Sequence, residues 1–235
     1  MKDIFKQAND EFIRIHETQI PDFWTNGYYE ARLRQAQMVI DSINDKFNFK
    51  RIIALETGTS QNMRTDYAFG LFIGLITEKV GGKMISVDID NDRLINSKKL
   101  FSDNIPNLDY STYCDDSINF LKNFDEKPNL VHLDNWDCDM KNPLPSALHA
   151  FLEFLAIESK MESGSIIMID DNFLQGSWID WIYPDRIERI DITYPILGKG
   201  ALIYHHVLNG KSGWNLIGNH YNLPGINIKI IIQKD

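Results

Sequence analysis

Small residues and acids follow two short apolar segments in the first part of this sequence. The tripeptide 58–60 (Gly, Thr, Ser) comes shortly after the segment 51–55, and Asp88 directly follows the segment 84–87. Small residues in the turn after a strand let backbone approach a ligand, and a carboxylate at the end of the next strand can accept hydrogen bonds from ribose hydroxyls. The two features favour a nucleoside-type ligand. The alternative is an ordinary turn in which Gly58 takes a positive φ.

A complete Gly-x-Gly-x-x-Gly motif is absent, because no glycine follows Gly58 before Gly70. That motif is typical of dinucleotide-binding turns, so its absence weakens a prediction of a nicotinamide cofactor. Asp90 or Asn91, shortly beyond Asp88, is expected to cap the helix that follows.

Short apolar segments alternate with helical patterns over the middle of the chain. The segments with strand character are 51–55, 84–87, 109–113, 130–133 and 165–169, and those with helical character are 66–80, 92–101, 117–124 and 144–161. Such alternation implies crossover connections and a parallel sheet. We therefore predict an α/β, Rossmann-like doubly wound fold whose sheet is mostly parallel.

The two ends of the chain differ from this pattern. Apolar side chains recur at helical spacing in 3–16 and 28–47, which predicts an N-terminal helical cap. Between these helices a loop with aromatic residues at 23, 24, 28 and 29 is expected to form a lid or a dimer contact. The expected division is a single domain, 1–235, made of a cap, 1–47, and a core, 48–235.

The C-terminal tail reads as strands separated by turn signals. The predicted strands are 187–193, 201–207 and 226–233, with turns at Asn209-Gly210 and Pro224-Gly225. They predict an antiparallel edge on the otherwise parallel sheet. In a strand at 201–207, His205 and His206 would point to opposite faces and could not grip one metal together.

Composition excludes several classes of protein. Of 235 residues, 43% are hydrophobic and 24% charged, which is typical of a folded globular chain. The net charge is −9 with no Lys/Arg-rich stripe, so general affinity for nucleic-acid phosphates is not expected, although one particular RNA or DNA substrate is compatible with it. No apolar run is long enough to span a membrane, and the N-terminus lacks a secretory pattern. Cys114 and Cys138 form no disulfide framework, so a cytoplasmic location is expected.

Five segments together resemble the class I S-adenosylmethionine-dependent methyltransferases. They are LETGTS (55–60), ISVDID (85–90), CDDSINFL (114–121), NLVHLDNWD (129–137) and GSIIMIDDNF (164–173). The resemblance implies S-adenosylmethionine as the cofactor. It places Glu56, Gly58 and Ser60 at the methionine side, Asp88 at the ribose, and Asp116 with Ser117 at the adenine. Thr59 and Asp134 complete the expected cofactor-binding set. The second glycine of the first motif is missing, since Gln61-Asn62-Met63-Arg64 stands there.

The last two segments are similar to the metal-dependent small-molecule O-methyltransferases of the catechol and macrocin types. This similarity implies Mg²⁺ held by Asp134, Asp171 and Asn172, with Asp170 as a rival ligand. Mg²⁺ prefers such hard oxygen ligands, and the ends of the fourth and fifth strands flank one crevice. A cation there would orient a small-molecule hydroxyl and lower its pKa for methylation.

The general base is less clearly marked. The catechol-type enzymes place a lysine where this chain has Asp137, so Asp137 and His149 are the candidates, although His149 also fits helix packing. His132 is expected to be a buried core histidine. Trp136 and Trp178 follow the two predicted metal segments, where they could form an aromatic wall for the substrate. Gly198-Lys199-Gly200 has the composition of a phosphate-contacting turn but is too short to be predictive.

Two other functions are compatible with the sequence. Asp137-x-Asp139 after an apolar strand is the pattern by which nucleotide-sugar glycosyltransferases bind a metal. A non-catalytic nucleotide-binding module is the second alternative, since the lysine and the second glycine are missing. A small-molecule acceptor is the expected partner, and a homo-oligomer is compatible with the sequence.

Overall fold

The computed structural model describes residues 1–20, 27–63, 68–139, 141–182, 186–210, 212–218 and 228–235, without the side chains of 27–32 and 179–182. The helices in these ranges are α1 (Lys2–Gln19), α2 (Gly27–Ser42), α3 (Phe69–Lys79), α4 (Asn91–Asn104), α5 (Ser117–Asn123), α6 (Leu144–Ile157) and α7 (Ala201–Leu208). The strands are β1 (Ile53–Thr57), β2 (Lys83–Asp88), β3 (Asp109–Cys114), β4 (Leu130–Leu133), β5 (Ile166–Leu174), β6 (Trp178–Ile182), β7 (Ile187–Asp191), β8 (Ile196–Gly198), β9 (Trp214–Gly218) and β10 (Ile228–Lys234).

The main sheet has the strand order β3-β2-β1-β4-β5-β10-β9, with β8 paired to the end of β5. The first five strands of this order are parallel, whereas β10 runs antiparallel to both β5 and β9. The chain leaves β1 toward β2 on one side and later returns to β4 on the other, so the order reverses at β1. Ligands of such sheets bind beyond the carboxyl ends of the strands at this reversal. The predicted doubly wound α/β fold with an antiparallel edge is confirmed.

Apolar strands at the centre of the sheet require cover on both faces. Every residue of β4 is buried, and so is nearly all of α3, which is apolar around its whole circumference. The N-terminal helix α1 joins the same hydrophobic cluster through Phe5 and Phe12. Both rings contact Phe72 of α3, at centroid distances of 6.3 and 6.0 Å. The single domain over 1–235 stays a prediction.

A β-bulge interrupts the pairing of β5 with β10. Ile169 faces Ile230 and Asn172 faces Ile228, so the two aspartates at 170 and 171 lie opposite the single residue Lys229. Asp171 takes a φ of 52° there. Bulges re-aim side chains and are common next to functional sites. This one brings two consecutive carboxylates into two different environments, described below.

The prediction of a strand at 201–207 is wrong, because this segment forms helix α7. The β-branched and aromatic residues of the segment favour a strand by propensity, but Ile203 and Val207 lie one helical turn apart and are both buried. His205 and His206 are therefore on a helix. Gly210, with a φ of 70°, follows the end of that helix. The predicted turn at Pro224-Gly225 lies outside the described residues, as does most of the loop between α1 and α2.

None of the helices in the described part of the chain combines the length and the hydropathy of a membrane span.

Candidate active site

A cavity of about 700 Å³ opens beyond the carboxyl ends of β1, β2 and β4. Its walls are formed by Gly58, Thr59, Ser60, Gln61, Asp88, Ile89, Asp90, Arg93, Asp134, Asn135, Trp136 and Asp137. The cavity therefore lies at the reversal of strand order and contains both of the motifs that the sequence marks for a nucleoside ligand.

Gly58 fixes how closely the first turn approaches the end of β4. It has a φ of 73°, and a Cβ atom placed on it would lie 2.5 Å from the backbone oxygen of Asp134. The Gly58 N–H donates to the carbonyl of Val87 (3.0 Å), and the Asp134 N–H donates to the carbonyl of Thr57 (2.9 Å). The turn is thus clamped between β2 and β4, and only glycine fits there.

The Asp88 carboxylate lies in the cavity wall at the end of β2, next to this turn. The side chain is buried, and it accepts hydrogen bonds from the N–H of Thr59 (3.1 Å) and the N–H of Asp90 (2.9 Å). An ionised carboxylate has about four lone-pair sites, so acceptor capacity remains beyond these two bonds. Asp90 caps α4 as predicted, accepting from the N–H groups of Asp92 and Arg93.

Glu56 lies beneath the first turn, fully buried under the cavity wall. Its carboxylate accepts hydrogen bonds from the hydroxyls of Ser60 (3.2 Å) and Ser86 (3.0 Å). Ser60 accepts in turn from the N–H of Gly70 at the start of α3 (3.0 Å). Glu56 therefore holds the turn in place from below, while Ser60 lines the cavity itself.

Ser117 and His149 lie beside the cavity and contact Asn135 of its wall, and Asp116 precedes Ser117 at the start of α5. The Asp116 carboxylate caps α5 by accepting from the N–H of Asn119 (2.8 Å). The Ser117 hydroxyl accepts from the amide of Asn135 (2.9 Å) and lies 3.1 Å from Nε2 of His149. The imidazole is also 5.4 Å from the exposed ring of Trp136, centroid to centroid.

The buried carboxylate of Glu153 raises the pKa of His149. Glu153 is fully buried on the same helix, and its Oε1 lies 3.5 Å from Nε2 of His149. Its interaction with the imidazolium outweighs the opposing effect of burial. Because the folded pKa lies above the ordinary value of about 6.5, the stability from protonation is present below that pH and is lost as the pH rises through the folded pKa.

We expect this imidazole to titrate above its ordinary pKa when followed by NMR. The Glu153→Gln variant should lower the pKa, because the neutral amide no longer stabilises the imidazolium. His205→Gln is the matched control and should leave the His149 signal unchanged. A pKa at or below the ordinary value in the unsubstituted protein would contradict this assignment.

Two of the predicted magnesium ligands, Asp134 and Asp171, are paired with the same ammonium group. Nζ of Lys199, whose side chain is 1% exposed, lies 2.7 Å from Oδ1 of Asp134 and 2.8 Å from Oδ2 of Asp171. It also donates to the backbone oxygen of Asp134 (3.2 Å). Burial by itself would lower the pKa of Lys199, but the carboxylates of Asp134, Asp171 and Asp170 raise it above its usual value. Lys199 is therefore a permanent cation at neutral pH rather than a base.

The side chains of Asp170 and Asn172 also bind other groups of the protein. Asp170 forms a fully buried ion pair with Lys229, whose Nζ is 2.6 Å from Oδ2, and this Nζ lies 3.0 Å from Nε2 of His132. The amide nitrogen of Asn172 donates to the carbonyls of Ile169 and Asp170, both at 2.9 Å. Its oxygen accepts from the N–H of residue 200 at 2.6 Å. Neither side chain is turned toward the cavity.

The residues present therefore do not fit the predicted magnesium site. His132, Asp134 and Asp170 are close enough together to hold an ion. However, His132 and Asp170 contact Lys229, and Asp134 contacts Lys199. His132 is buried, as predicted.

The remaining candidates occupy more exposed positions. Asp137 is exposed at the cavity wall, whereas Asp139 is exposed and accepts from the N–H of Lys141 (2.9 Å). Trp178 does not form an open wall, because the guanidinium of Arg189 lies 3.7 Å above its ring.

Sequence reasoning missed both buried lysines as site residues. Lys229 interrupts the apolar segment 226–233, and a lone lysine inside a buried strand is a signal for a buried carboxylate partner. Lys199 carries a weaker signal, the two flanking glycines, which let the turn press against the end of β5. A Cβ at Gly198 would lie 2.0 Å from the backbone oxygen of Asp171.

No protein-family model matches the sequence, and no curated protein does. The fold, however, is similar to solved structures. One is an S-adenosylmethionine-dependent methyltransferase from Clostridium acetobutylicum, with a TM-score of 0.53 and 12% identity over 96% of this chain and 98% of that chain. Another is a proposed methyltransferase from Streptococcus mutans in complex with S-adenosylhomocysteine, with a TM-score of 0.51 and 12% identity over 86% and 98%.

A third similar structure is the fibrillarin pre-rRNA processing protein of Methanococcus jannaschii, with a TM-score of 0.51 and 12% identity over 87% of this chain and 75% of that chain. At such low identity the likeness concerns the fold. The chain has the Rossmann-like α/β fold of the class I S-adenosylmethionine-dependent methyltransferases.

Proposed function

We propose that the protein is an S-adenosylmethionine-dependent methyltransferase. The observation that carries the proposal is the position of Asp88 and Gly58 at one cavity, at the point where the strand order reverses. The Asp88 carboxylate has unused acceptor capacity for ribose hydroxyls, and Gly58, which has no Cβ, lets the first turn lie close against the end of β4 beside it. Solved structures of the same fold include one with S-adenosylhomocysteine bound.

The charge of the cavity suits the cofactor. Four carboxylates line it, those of Asp88, Asp90, Asp134 and Asp137, against the single guanidinium of Arg93 within the described wall. S-adenosylmethionine is a sulfonium cation, and a cavity of opposite charge raises its local concentration. We place the adenine beside Asn135, where the Ser117 hydroxyl and the Asp116 helix cap fix the loop.

The proposed chemistry is an in-line transfer to an acceptor held by the protein. Bound S-adenosylmethionine supplies the electrophilic methyl group. The protein positions the two reactants, which is worth several kcal/mol of the barrier, about 7–11 in favourable intramolecular cases. Asp137, exposed at the cavity wall, is our candidate for accepting the proton of the acceptor. The His149–Asn135 contacts orient the loop that carries it.

We propose a small-molecule hydroxyl as the acceptor. The net charge of −9 and the acidic cavity disfavour a polyphosphate strand, because like charges repel. RNA is the competing acceptor class, since one similar structure is a pre-rRNA processing protein. Comparison of methyl transfer from labelled cofactor to a small-molecule extract and to total RNA separates the two.

Calorimetric titration with S-adenosylhomocysteine tests the cofactor directly. The Asp88→Asn variant should weaken binding by roughly 10- to 100-fold, because a hydrogen bond to a charged group is worth about 1.5–3 kcal/mol. Asparagine has one acceptor oxygen, so it keeps only one of the two bonds that the separate oxygens of Asp88 accept from the N–H groups of Thr59 and Asp90. The unfolding midpoint of the variant therefore accompanies the titration as a check on the fold. Asp92→Asn, an exposed acid on α4, is the matched control and should bind normally.

Two results would contradict the proposal. Binding of a UDP-sugar with a divalent metal, lost in Asp137→Asn, would indicate a glycosyltransferase instead. Tight binding of S-adenosylhomocysteine without methyl transfer to any acceptor pool would indicate a non-catalytic module.

A further inference from the structure

Lys199 occupies a position between the ends of two strands where oxygen atoms converge. Two carboxylates and one carbonyl oxygen, from Asp134 and Asp171, lie 2.7–3.2 Å from its Nζ. An ammonium group has three N–H donors, so these three contacts use its full capacity. The amine therefore has the surroundings of a bound cation, and the side chain is almost completely buried.

A divalent ion would need the same oxygen atoms. Mg²⁺ prefers carboxylate and carbonyl oxygens at about 2.0–2.1 Å, which leaves no room for an ammonium group among the same ligands. The ammonium and the metal are therefore alternatives at this position. Without either, the carboxylates of Asp134 and Asp171 would lie uncompensated and repel each other.

The backbone around Lys199 lets the side chain reach the oxygen atoms at the ends of β4 and β5. Its two flanking glycines let the turn between β8 and α7 lie directly on the bulge of β5, where any Cβ would collide with backbone or with Asn172. The N–H of Gly200 donates to Oδ1 of Asn172 (2.6 Å), and the N–H of Lys199 donates to the carbonyl of Asp171 (3.3 Å). Asn172 thereby anchors the turn.

We propose that the ammonium group of Lys199 takes the place of a divalent cation at the end of β4 and β5. It is a positioning residue, which holds the Asp134 carboxylate at the cavity wall and neutralises part of the charge there. Methyl transfer at this site then needs no divalent metal. The inference rests on the proposed function for the role of the cavity, whereas the metal-binding test below does not.

Mn²⁺ binding, followed by the loss of the EPR signal of the free aquo ion, tests the proposal. The unsubstituted protein should show no saturable site that depends on Asp171. Lys199→Ala should gain one Mn²⁺ site per chain, because the oxygens are then uncompensated. The double variant Lys199→Ala/Asp171→Asn should lose that site again. Lys127→Ala, which breaks an exposed ion pair with Glu162 (2.8 Å), is the matched control and should gain none.

The unsubstituted protein provides a second readout that does not depend on the variant folding. Its unfolding midpoint and its affinity for S-adenosylhomocysteine should be the same in EDTA as in millimolar Mg²⁺. The proposal is overturned by an Mn²⁺ site in this protein that Asp171→Asn abolishes, or by a folded Lys199→Ala variant that gains none. Failure to bind S-adenosylhomocysteine would contradict the proposed function instead, and would leave the metal result standing.

Discussion

Lys229→Met should destabilise the protein by about 3–5 kcal/mol, which is the usual cost of removing one partner from a buried ion pair. The Asp170 carboxylate, 1% exposed, then loses a cation at 2.6 Å and has no access to water. His132 loses its contact with the same Nζ, and the ring of Phe69, 4.1 Å away, loses a cation–π contact. The midpoint of urea denaturation, converted with the measured m-value, gives the change.

The double variant Lys229→Met/Asp170→Asn is the decisive comparison. Both charges are then absent, and the asparagine oxygen can still accept from the N–H of Asp171, as Oδ1 of Asp170 does at 2.9 Å. We expect at least half of the lost stability to return, since replacing both partners is far less costly than removing one. Lys127→Met, which breaks only an exposed pair with Glu162, is the matched control and should leave the midpoint of urea denaturation nearly unchanged. An equally small effect of Lys229→Met would refute the assignment of a buried, charged pair.

Gly58→Ala is expected to weaken binding of S-adenosylhomocysteine at least tenfold and to cost about 1–3 kcal/mol of stability. The added methyl group would lie 2.5 Å from the Asp134 oxygen, so either the turn or the end of β4 must move, and both form the cavity wall. Calorimetric titration and urea denaturation measure the two effects.

The Gly81→Ala variant separates the two effects of an added Cβ atom, which are collision with neighbouring atoms and strain of the backbone. Gly81 has a similar φ of 64°, but a Cβ there meets nothing within 4 Å. Its substitution should therefore cost only the strain of the left-handed conformation, about 1–2 kcal/mol, and leave cofactor binding unchanged. If Gly58→Ala bound S-adenosylhomocysteine as tightly as Gly81→Ala does, the close approach of the turn to β4 would not matter for the ligand.

The sequence predicted the fold and the neighbourhood of the candidate site because both depend on local patterns. Strand–helix alternation implies a parallel sheet, and the carboxyl ends of its strands then converge at one edge. Gly58 and Asp88 follow neighbouring strands of such a sheet and were expected at this edge, the family resemblance added Asp134, and all three line one cavity. The segment 201–207 escaped the same reasoning, because β-branched and aromatic residues favour a strand and only packing of one face made it a helix.

What occupies the space between the acids was decided by the tertiary structure. A linear run of Asp170, Asp171 and Asn172 suggests three ligands on one ion, but the β-bulge sends the two carboxylates to two different lysines and turns the amide onto the backbone. Those lysines come from the turn after β8 and from β10, at least 28 residues later in the chain. A lysine inside an apolar strand indicates a buried acidic partner, but which carboxylate it pairs with leaves no local pattern, because that depends on which strands become neighbours. The sequence alone determined where negative charge gathers, and the fold determined that lysine side chains neutralise it.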